Sequence, residues 1–587
     1  MPGTADAARG LPDRPVGTIA GVARRMWSAP LWTHAVVLAG VLILAVWAGR
    51  PGVAYTSDEG AALLQARLLD DTGGWAYAYP LASIDPEDRA RPFVRGDAGT
   101  KALAPYAKHP LYPLVLLVAD RAAGTTGMVL TSVAGTLVAA VASALLARRF
   151  APVLDRVALW TCGVASPLLF DAGLILAHTL AAASAGLAAL AAARVLERDR
   201  PGISLGALAG LGSTVAVAVA MRSEGLFVGP ALAVGALAAC WARQVGLRRA
   251  AAVAATAAGA TLVAAVADRA AFRTIVGEPL VTVVDPPPSS WLAGRVQGIV
   301  ATWFDPSYGD DPAIAVTLVL ATVLVAAAAI VVRLRPGATV VVTGALVVAT
   351  AAYLVRLALD PAGAIPGLAV AFPVAWAGVW LVHRHLLDGP VPRLVSVAAA
   401  LVVAGVALTQ YPRGGGVEWG GRYFAIALPL AVPPLLAALR AAGERLDRRA
   451  ARAALAALVT SSLLVAGSAV RAQRQVHTDT RAVLDAMRAA AAVAGDAPGL
   501  GRPVVVSWNR LLPQIAYRDF DDYDWVVPER EHLVVSLERL AALGVTRVVL
   551  VTPDSTRDLP ELAGWVAIDR PPLVAPLEVV VLERRTG

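Results

Sequence analysis

The sequence predicts a polytopic α-helical membrane protein. It has about 13 transmembrane helices and a small C-terminal extracytoplasmic α/β domain. Three observations predict this class. Hydrophobic residues fill 57% of the 587 positions and charged residues only 16%, with a mean hydropathy of +0.64. A soluble chain of this length carries more charge and fewer unbroken Ala/Val/Leu runs. Apolar stretches near the length needed to cross about 30 Å of hydrocarbon recur as far as residue 470. Arginines gather in alternate connections between them, the pattern that orients helices in a membrane.

The same composition excludes several functions. The net charge of +8 is modest, and no basic stripe with interleaved aromatics marks a nucleic-acid surface. The two cysteines, Cys162 and Cys240, both fall in apolar segments, which excludes a disulfide framework or a cysteine-rich metal site. No glycine-rich phosphate loop marks an ATP-driven pump, and no internal repeat is visible. The Ala-, Arg-, Val- and Gly-heavy usage points to a bacterial cytoplasmic (inner) membrane.

Residues 1–29 are polar and contain Pro and Gly, which predicts a disordered cytoplasmic N-terminus. The apolar run after Arg24-Arg25 is nearer to spanning length than a signal peptide's core, so a retained first helix is expected over about 30–48. An outer loop follows over 49–126. Its apolar run at 110–119 is too short to span and reads as interfacial or re-entrant. Charge supports that choice. With 110–119 outside the count, a helix at 127–147 delivers Arg148 and Arg149 to the cytoplasm; otherwise the positive-inside pattern fails at loop after loop.

Further helices are expected at 153–170, 173–193, 203–221, 225–242, 249–267, 313–333, 338–358, 365–382, 393–410, 422–440 and 452–470. A second outer loop, 268–312, carries Pro286 to Pro288, Trp291, Trp303 and Tyr308, residues suited to the headgroup level. The transmembrane domain thus covers 30–470. Over 471–587 an exposed helix at 471–492 precedes short β-branched runs that flank a helical pattern at 529–543, which predicts an extracytoplasmic α/β domain.

The candidate chemistry lies at the outer helix ends. Asp58 and Glu59, in the Tyr55–Arg67 stretch, follow the first span closely; a solvated acidic loop is as common as an active site, but an Asp there can take a proton from an acceptor hydroxyl. Asp171 sits in a turn among Leu and Phe, costly unless paired or functional. His178 falls two turns further on the same face if a helix starts at Asp171; the alternative is a hydrogen-bonded histidine between helices. Arg222 and Glu224 share another junction, as mutual partners or as ligands. The glycines at 414–421 permit close backbone approach to a ligand, and Arg422, beside Trp419 and Tyr423, suits a bidentate phosphate contact. Lys101, Lys108, His109 and Tyr112 complete the set.

Taken in order, Ser57-Asp-Glu-Gly60, Lys108-His-Pro-Leu-Tyr-Pro113, Arg148-Arg-Phe150, Ser166-Pro-Leu-Leu-Phe-Asp171, Arg222-Ser-Glu-Gly225 and Trp419-Gly-Gly-Arg-Tyr423 resemble a family pattern. They look like the bacterial GT-C glycosyltransferases that use polyprenyl-phosphate sugars, nearest to the branch of protein O-mannosyltransferases and the lipid A aminoarabinose transferase. The resemblance covers about 30–440 and rests on motif order more than on any one motif. It implies Asp58 as the catalytic acidic residue, Asp171 as a second functional carboxylate and Arg422 near the lipid phosphate. The chain departs from the pattern at His109-Pro110, where the family often has Pro-Pro, and at Gly420-Gly-Arg422, where it often has Gly-Pro-Arg.

The expectation is therefore an inverting transfer of a mannosyl, arabinosyl or other sugar to a glycan, lipid or protein acceptor hydroxyl, with Arg422, Lys108 and Arg222 holding the donor phosphate. His109, Tyr112, His178, Glu224, Trp419 and Tyr423 are the expected substrate contacts. No cofactor is assigned, and a divalent cation near Glu59 is left open. A flippase of lipid-linked sugars would use the same cavity without bond cleavage, with repeats and interrupted helices near the bilayer midplane. A non-catalytic envelope assembly protein would leave the charges at the outer helix ends unexplained.

Overall fold

The computed structural model describes residues 27–93, 95–97, 102–197, 202–275, 277–279, 290–303, 351, 367–375, 384–409, 419–553, 562, 564–570 and 577–585. The span expected at 313–333, nearly all of 338–358 and half of 365–382 lie outside these residues, as do 1–26, Lys101, Pro286 to Pro288, Tyr308 and 414–418. Among the described residues, 8 helices are long and apolar enough to cross a membrane.

Helix α1 (Leu31–Gly49) is apolar all round but buries one stripe, His34, Leu38, Leu42 and Val46, at helical spacing. Within the stretch read as an outer loop lies α2 (Ser57–Thr72). It is a helix because Thr56 caps it, accepting the Glu59 N–H, because Asp58 and Glu59 suit the positive end of its dipole, and because Gly73 closes it at φ 67°. Helix α3 (Leu111–Phe150) is broken at Ala123 and Gly124; the break needs a positive φ, 61°, which Gly124 supplies. The part before the break rises roughly 18 Å, short of the hydrocarbon thickness.

The helix expected at 153–170 is two pieces, α4 (Asp155–Gly163) and α5 (Leu168–Asp171). Pro167 and the close approach of Gly163 to Leu38, 2.7 Å from an added Cβ, explain the division. Helix α6 (His178–Leu196) buries alanines and Gly186 against α3, the small-residue packing that brings membrane helices together. Then come α7 (Leu205–Met221), α8 (Val228–Trp241), α9 (Leu247–Ile275), α10 (Trp291–Trp303), α11 (Leu368–Ala371), α12 (Pro390–Thr409) and α13 (Leu428–Gly443). The second outer loop is thus partly helical, since α9 runs on to Ile275 and α10 carries both tryptophans. Helix α14 (Arg448–Ala494) runs unbroken for 47 residues, so the last span and the exposed helix after residue 470 are one rod. No proline interrupts it.

Two small sheets organise the Asp58 end. Strands β1 (Tyr77–Ala78), β2 (Arg95–Asp97), β3 (Ala102–Leu103) and β4 (Glu278–Pro279) pair antiparallel in the order β1-β3-β2-β4, tying the loop after α2 to the segment after α9. The C-terminal sheet, order β6-β5-β7-β9-β8, uses β5 (Val504–Ser507), β6 (Asp524–Val526), β7 (Arg547–Thr552), β8 (Trp565–Asp569) and β9 (Glu578–Arg584). Its β6, β5 and β7 are parallel, and β5 is buried at every position, as a strand covered on both faces must be. Short helix α15 (Leu512–Ile515) and α16 (Leu533–Ala542) complete this domain.

The domain clasps the loop that follows α2. Phe93 stacks on Phe520 at 5.3 Å, the Val527 N–H donates to Ala90 O at 2.7 Å, and Arg539 donates to Ile84 O at 3.1 Å. At the far end of the bundle, Arg148 pairs with Asp155 at 2.7 Å, Arg149 with Glu197 at 2.9 Å, and Arg156 reaches Ala29 O.

Candidate active site

Asp58 projects from the first turn of α2 and is shared by two cations brought from distant parts of the chain. Lys108 Nζ donates to its Oδ2, and Arg422 Nη1 donates to the same oxygen at 3.2 Å. Burial alone would raise the Asp58 pKa; the Lys108 and Arg422 charges outweigh it and hold the carboxyl at about 2. Arg422 is placed by Gly420 and Gly421, which take φ 67° and 61°. A Cβ on Gly420 would lie 2.5 Å from Pro167, and one on Gly421 2.8 Å from Thr302 O. At these two positions the glycines serve approach to the protein's own chain, which corrects the expectation that they open toward a ligand.

Glu59 turns the other way. It is 3% exposed and accepts the Tyr55 N–H at 2.6 Å and the Ile175 N–H at 2.7 Å. Burial pushes its carboxyl up to about 7 against these backbone donors. Glu59 therefore stitches α2 to the turn before α6. Asp58 and Glu59, adjacent in sequence, serve different partners because consecutive helical positions do not face the same way.

Asp171 and His178 do not share a helix. The helix starts at His178, and Asp171 ends the separate piece α5, so the reading that set them two turns apart on one face is corrected. Both are buried, and neither Asp171 Oδ2 nor either His178 ring nitrogen has a hydrogen-bond partner among the described residues. Burial raises Asp171 to about 7, only partly opposed by the charges of Arg422 and Arg222. Because this folded value lies above the ordinary 3.8, the stabilisation is whole below about pH 4 and is lost as pH rises toward 7. In detergent, the apparent Tm is expected to fall between pH 4 and pH 7, and Asp171→Asn to flatten that fall. An identical pH dependence in the variant would refute this account.

Arg222 is engaged by Glu224, with Nε and Nη2 donating at 3.0 and 2.8 Å; the mutual-partner reading describes this pair. Tyr423 lies under both guanidinium groups, 5.0 Å from Arg422 and 5.8 Å from Arg222. His109 bridges Asp268 Oδ2 at 2.9 Å and Ser223 Oγ at 3.0 Å. Tyr112 and Trp419 are 0% and 1% exposed; they pack in the interior, Trp419 stacked on Phe170 at 5.1 Å.

Between α7, α9 and α12 opens a cavity of about 710 Å³, walled by Lys108, His109, Arg222, Asp268, Arg422 and Tyr423 with Phe227 and Phe272. Its lining sets the cations Lys108, Arg222 and Arg422 beside the acids Glu224 and Asp268 and the apolar Val219, Phe227, Phe272 and Val406, and Asp58 pairs with two of these cations. Sequence reasoning missed Asp268 and Phe272. Both lie on the last turns of α9, which runs on to Ile275, beyond the end expected at 267, where the apolar run gives way to Asp268. Among the described residues, the three-ligand group with metal-like spacing is Glu529, Glu531 and His532 in the C-terminal domain. There Arg510 already engages Glu529 at 3.0 Å.

Fold and site together define a multi-pass helical membrane protein with an ion-paired polar site at one end of its bundle. No protein-family model matches the chain, and no curated protein sequence does. Solved structures similar to it include the Archaeoglobus fulgidus oligosaccharyltransferase with zinc and sulfate, at 12% identity, TM-score 0.48, covering 89% of this chain and 68% of that one. Another is ArnT, an aminoarabinose transferase, from Cupriavidus metallidurans bound to undecaprenyl phosphate, at 14% identity, TM-score 0.43, covering 93% and 97%. A third is the archaeal oligosaccharyltransferase AglB from Archaeoglobus fulgidus with an inhibitory peptide and a dolichol-phosphate, at 12% identity, TM-score 0.45, covering 88% and 69%. These likenesses assign no role to any residue of this chain.

Proposed function

We propose that the protein is a GT-C-type membrane glycosyltransferase that moves a sugar from a polyprenyl-phosphate donor to an acceptor hydroxyl on the outer face of the membrane. One observation carries the reading: a carboxylate, Asp58, is poised on Lys108 and Arg422, two of the cations of a cavity also lined by apolar side chains. An anionic lipid head fits such a cavity. Its phosphate takes the charge-assisted bonds of Arg422 and Lys108, and its chain follows the apolar side chains.

In the reaction, the acceptor oxygen attacks the sugar's anomeric carbon as the bond from that carbon to the phosphate oxygen breaks. The electron pair leaves with polyprenyl phosphate, the acceptor proton passes to Asp58, and the anomeric configuration inverts. Asp58 at about 2 is a weak base while both cations hold it. A bound phosphate competes for Lys108 and Arg422 and so raises the proton affinity of Asp58 when a donor is present. Arg422 then stabilises the charge that grows on the leaving phosphate.

The test is a panel of radiolabelled polyprenyl-phosphate sugars offered to membranes containing the protein. Release of polyprenyl phosphate with label on a new hydroxyl is expected for one sugar. Label that crosses the bilayer with its phosphate bond intact would replace the reading with flipping, and no turnover of any donor above membranes lacking the protein would overturn it.

A further inference from the structure

A second cavity, of about 830 Å³, lies away from the Asp58 site, in the angle between α1 and the part of α3 beyond its break. Its walls are apolar, with Ile43, Val46 and Trp47 on one side and Val129, Leu130 and Val133 on the other. At one end stand three arginines from three parts of the chain: Arg50 just past α1, Arg474 on α14, and Arg518 after α15 in the C-terminal domain.

These arginines differ from their neighbours in partnering. Arg67, Arg121 and Arg488 each pair with a carboxylate, whereas among the described residues no carboxylate lies within ion-pair distance of Arg50, Arg474 or Arg518. Arg50 also holds φ 53° and ψ 57° at the end of α1, a left-handed conformation that favours Gly or Asn and disfavours a long side chain. Three like charges converge where a membrane span ends, one on a costly backbone, and the slot beneath them is apolar. Charge complementarity and the apolar slot fit one occupant, an acidic lipid with an acyl chain in the slot and its phosphate under the guanidinium fork.

We propose that this slot is a binding site for an acidic glycerophospholipid, joining the first span to the C-terminal domain through a shared headgroup. The site is separate from the donor cavity, and the inference does not rest on the proposed reaction.

Native mass spectrometry of the full chain in detergent tests it, with phosphatidylglycerol and phosphatidylcholine of matched chains as probes. A single phosphatidylglycerol adduct is expected, held at least about tenfold more tightly than phosphatidylcholine. The triple variant Arg50→Gln, Arg474→Gln, Arg518→Gln is expected to lose that preference with an unchanged Tm, since all three side chains are exposed. Leu130→Trp, which narrows the slot with every arginine in place, is expected to weaken the adduct too. Equal retention of the two lipids, a preference that survives in the triple variant, an adduct untouched by Leu130→Trp, or displacement of the lipid by inorganic phosphate alone would each overturn the proposal.

Discussion

Asp58→Asn is expected to lower the turnover of sugar transfer by about 10²–10⁴-fold, the range for losing a positioned general base, while binding of polyprenyl phosphate tightens. The amide keeps the side chain's size and one acceptor for Lys108 or Arg422 but cannot take the acceptor's proton. It also removes the anion that competes with a phosphate for those cations. Sequence alone predicts wild-type stability for this variant; the structure changes that expectation. The folded pKa of Asp58 is about 2 against an ordinary 3.8, so its pairing contributes stability above about pH 4 that is lost as pH falls toward 2. At neutral pH the substitution costs roughly 2 kcal/mol. Saturating polyprenyl phosphate should restore part of it, because the phosphate replaces the missing charge between the two cations. The measurements are turnover, product affinity and Tm with and without product lipid. Turnover within threefold of wild type would remove Asp58 from the role of base, and weaker product binding would remove Lys108 and Arg422 from the phosphate site.

The parts of this site legible in sequence were those with a local signature. Asp58, Lys108 and Arg422 each stand where an apolar segment meets a polar one, and charge at such boundaries is costly enough to be informative. Their convergence on one oxygen, across 364 residues for the Asp58–Arg422 pair, is a tertiary fact that the residues reveal only through motif order. The errors have physical causes. Helix α2 reads as a loop because its two leading acids look like solvation when they are the first turn of a capped helix. Helix α14 reads as two elements because its composition turns polar near Arg471, although nothing in its backbone ends there. His178 starts a helix where Asp171 looked the better start, because Pro167 and the turn at 172–177 break the run. The inward polar anchors, Gln473 on Phe170 O at 2.6 Å and His477 on Gly49 O at 2.9 Å, have no pattern in one dimension that separates them from exposed neighbours.

Gly60→Ala is expected to lower both stability and transfer, although a glycine has no side chain to contact a substrate. It faces α15, and a Cβ there would sit 1.9 Å from Gln514 O and 2.6 Å from Gln514 C. The obstacle is backbone on a domain held at several other points, among them Arg67 to Arg518 O at 3.1 Å and Phe93 on Phe520. Relief must therefore move α2, the helix that carries Asp58. Overpacking of this kind costs about 1–3 kcal/mol. A displacement of about 1 Å at a reacting group can cost on the order of 10²-fold in rate. Gly40→Ala is the matched control: Gly40 is also helical, yet nothing lies within 4 Å of its added Cβ, so wild-type values are expected. Limited proteolysis and turnover measured on both variants check the idea together. If the C-terminal domain clasps α2 as the structure has it, Gly60→Ala loosens that domain to protease and loses rate in the same preparation. Wild-type rate combined with a loosened domain would show that the domain does not hold the Asp58 helix in its working position. Wild-type behaviour in both assays would show that α2 and α15 do not meet this closely in the membrane.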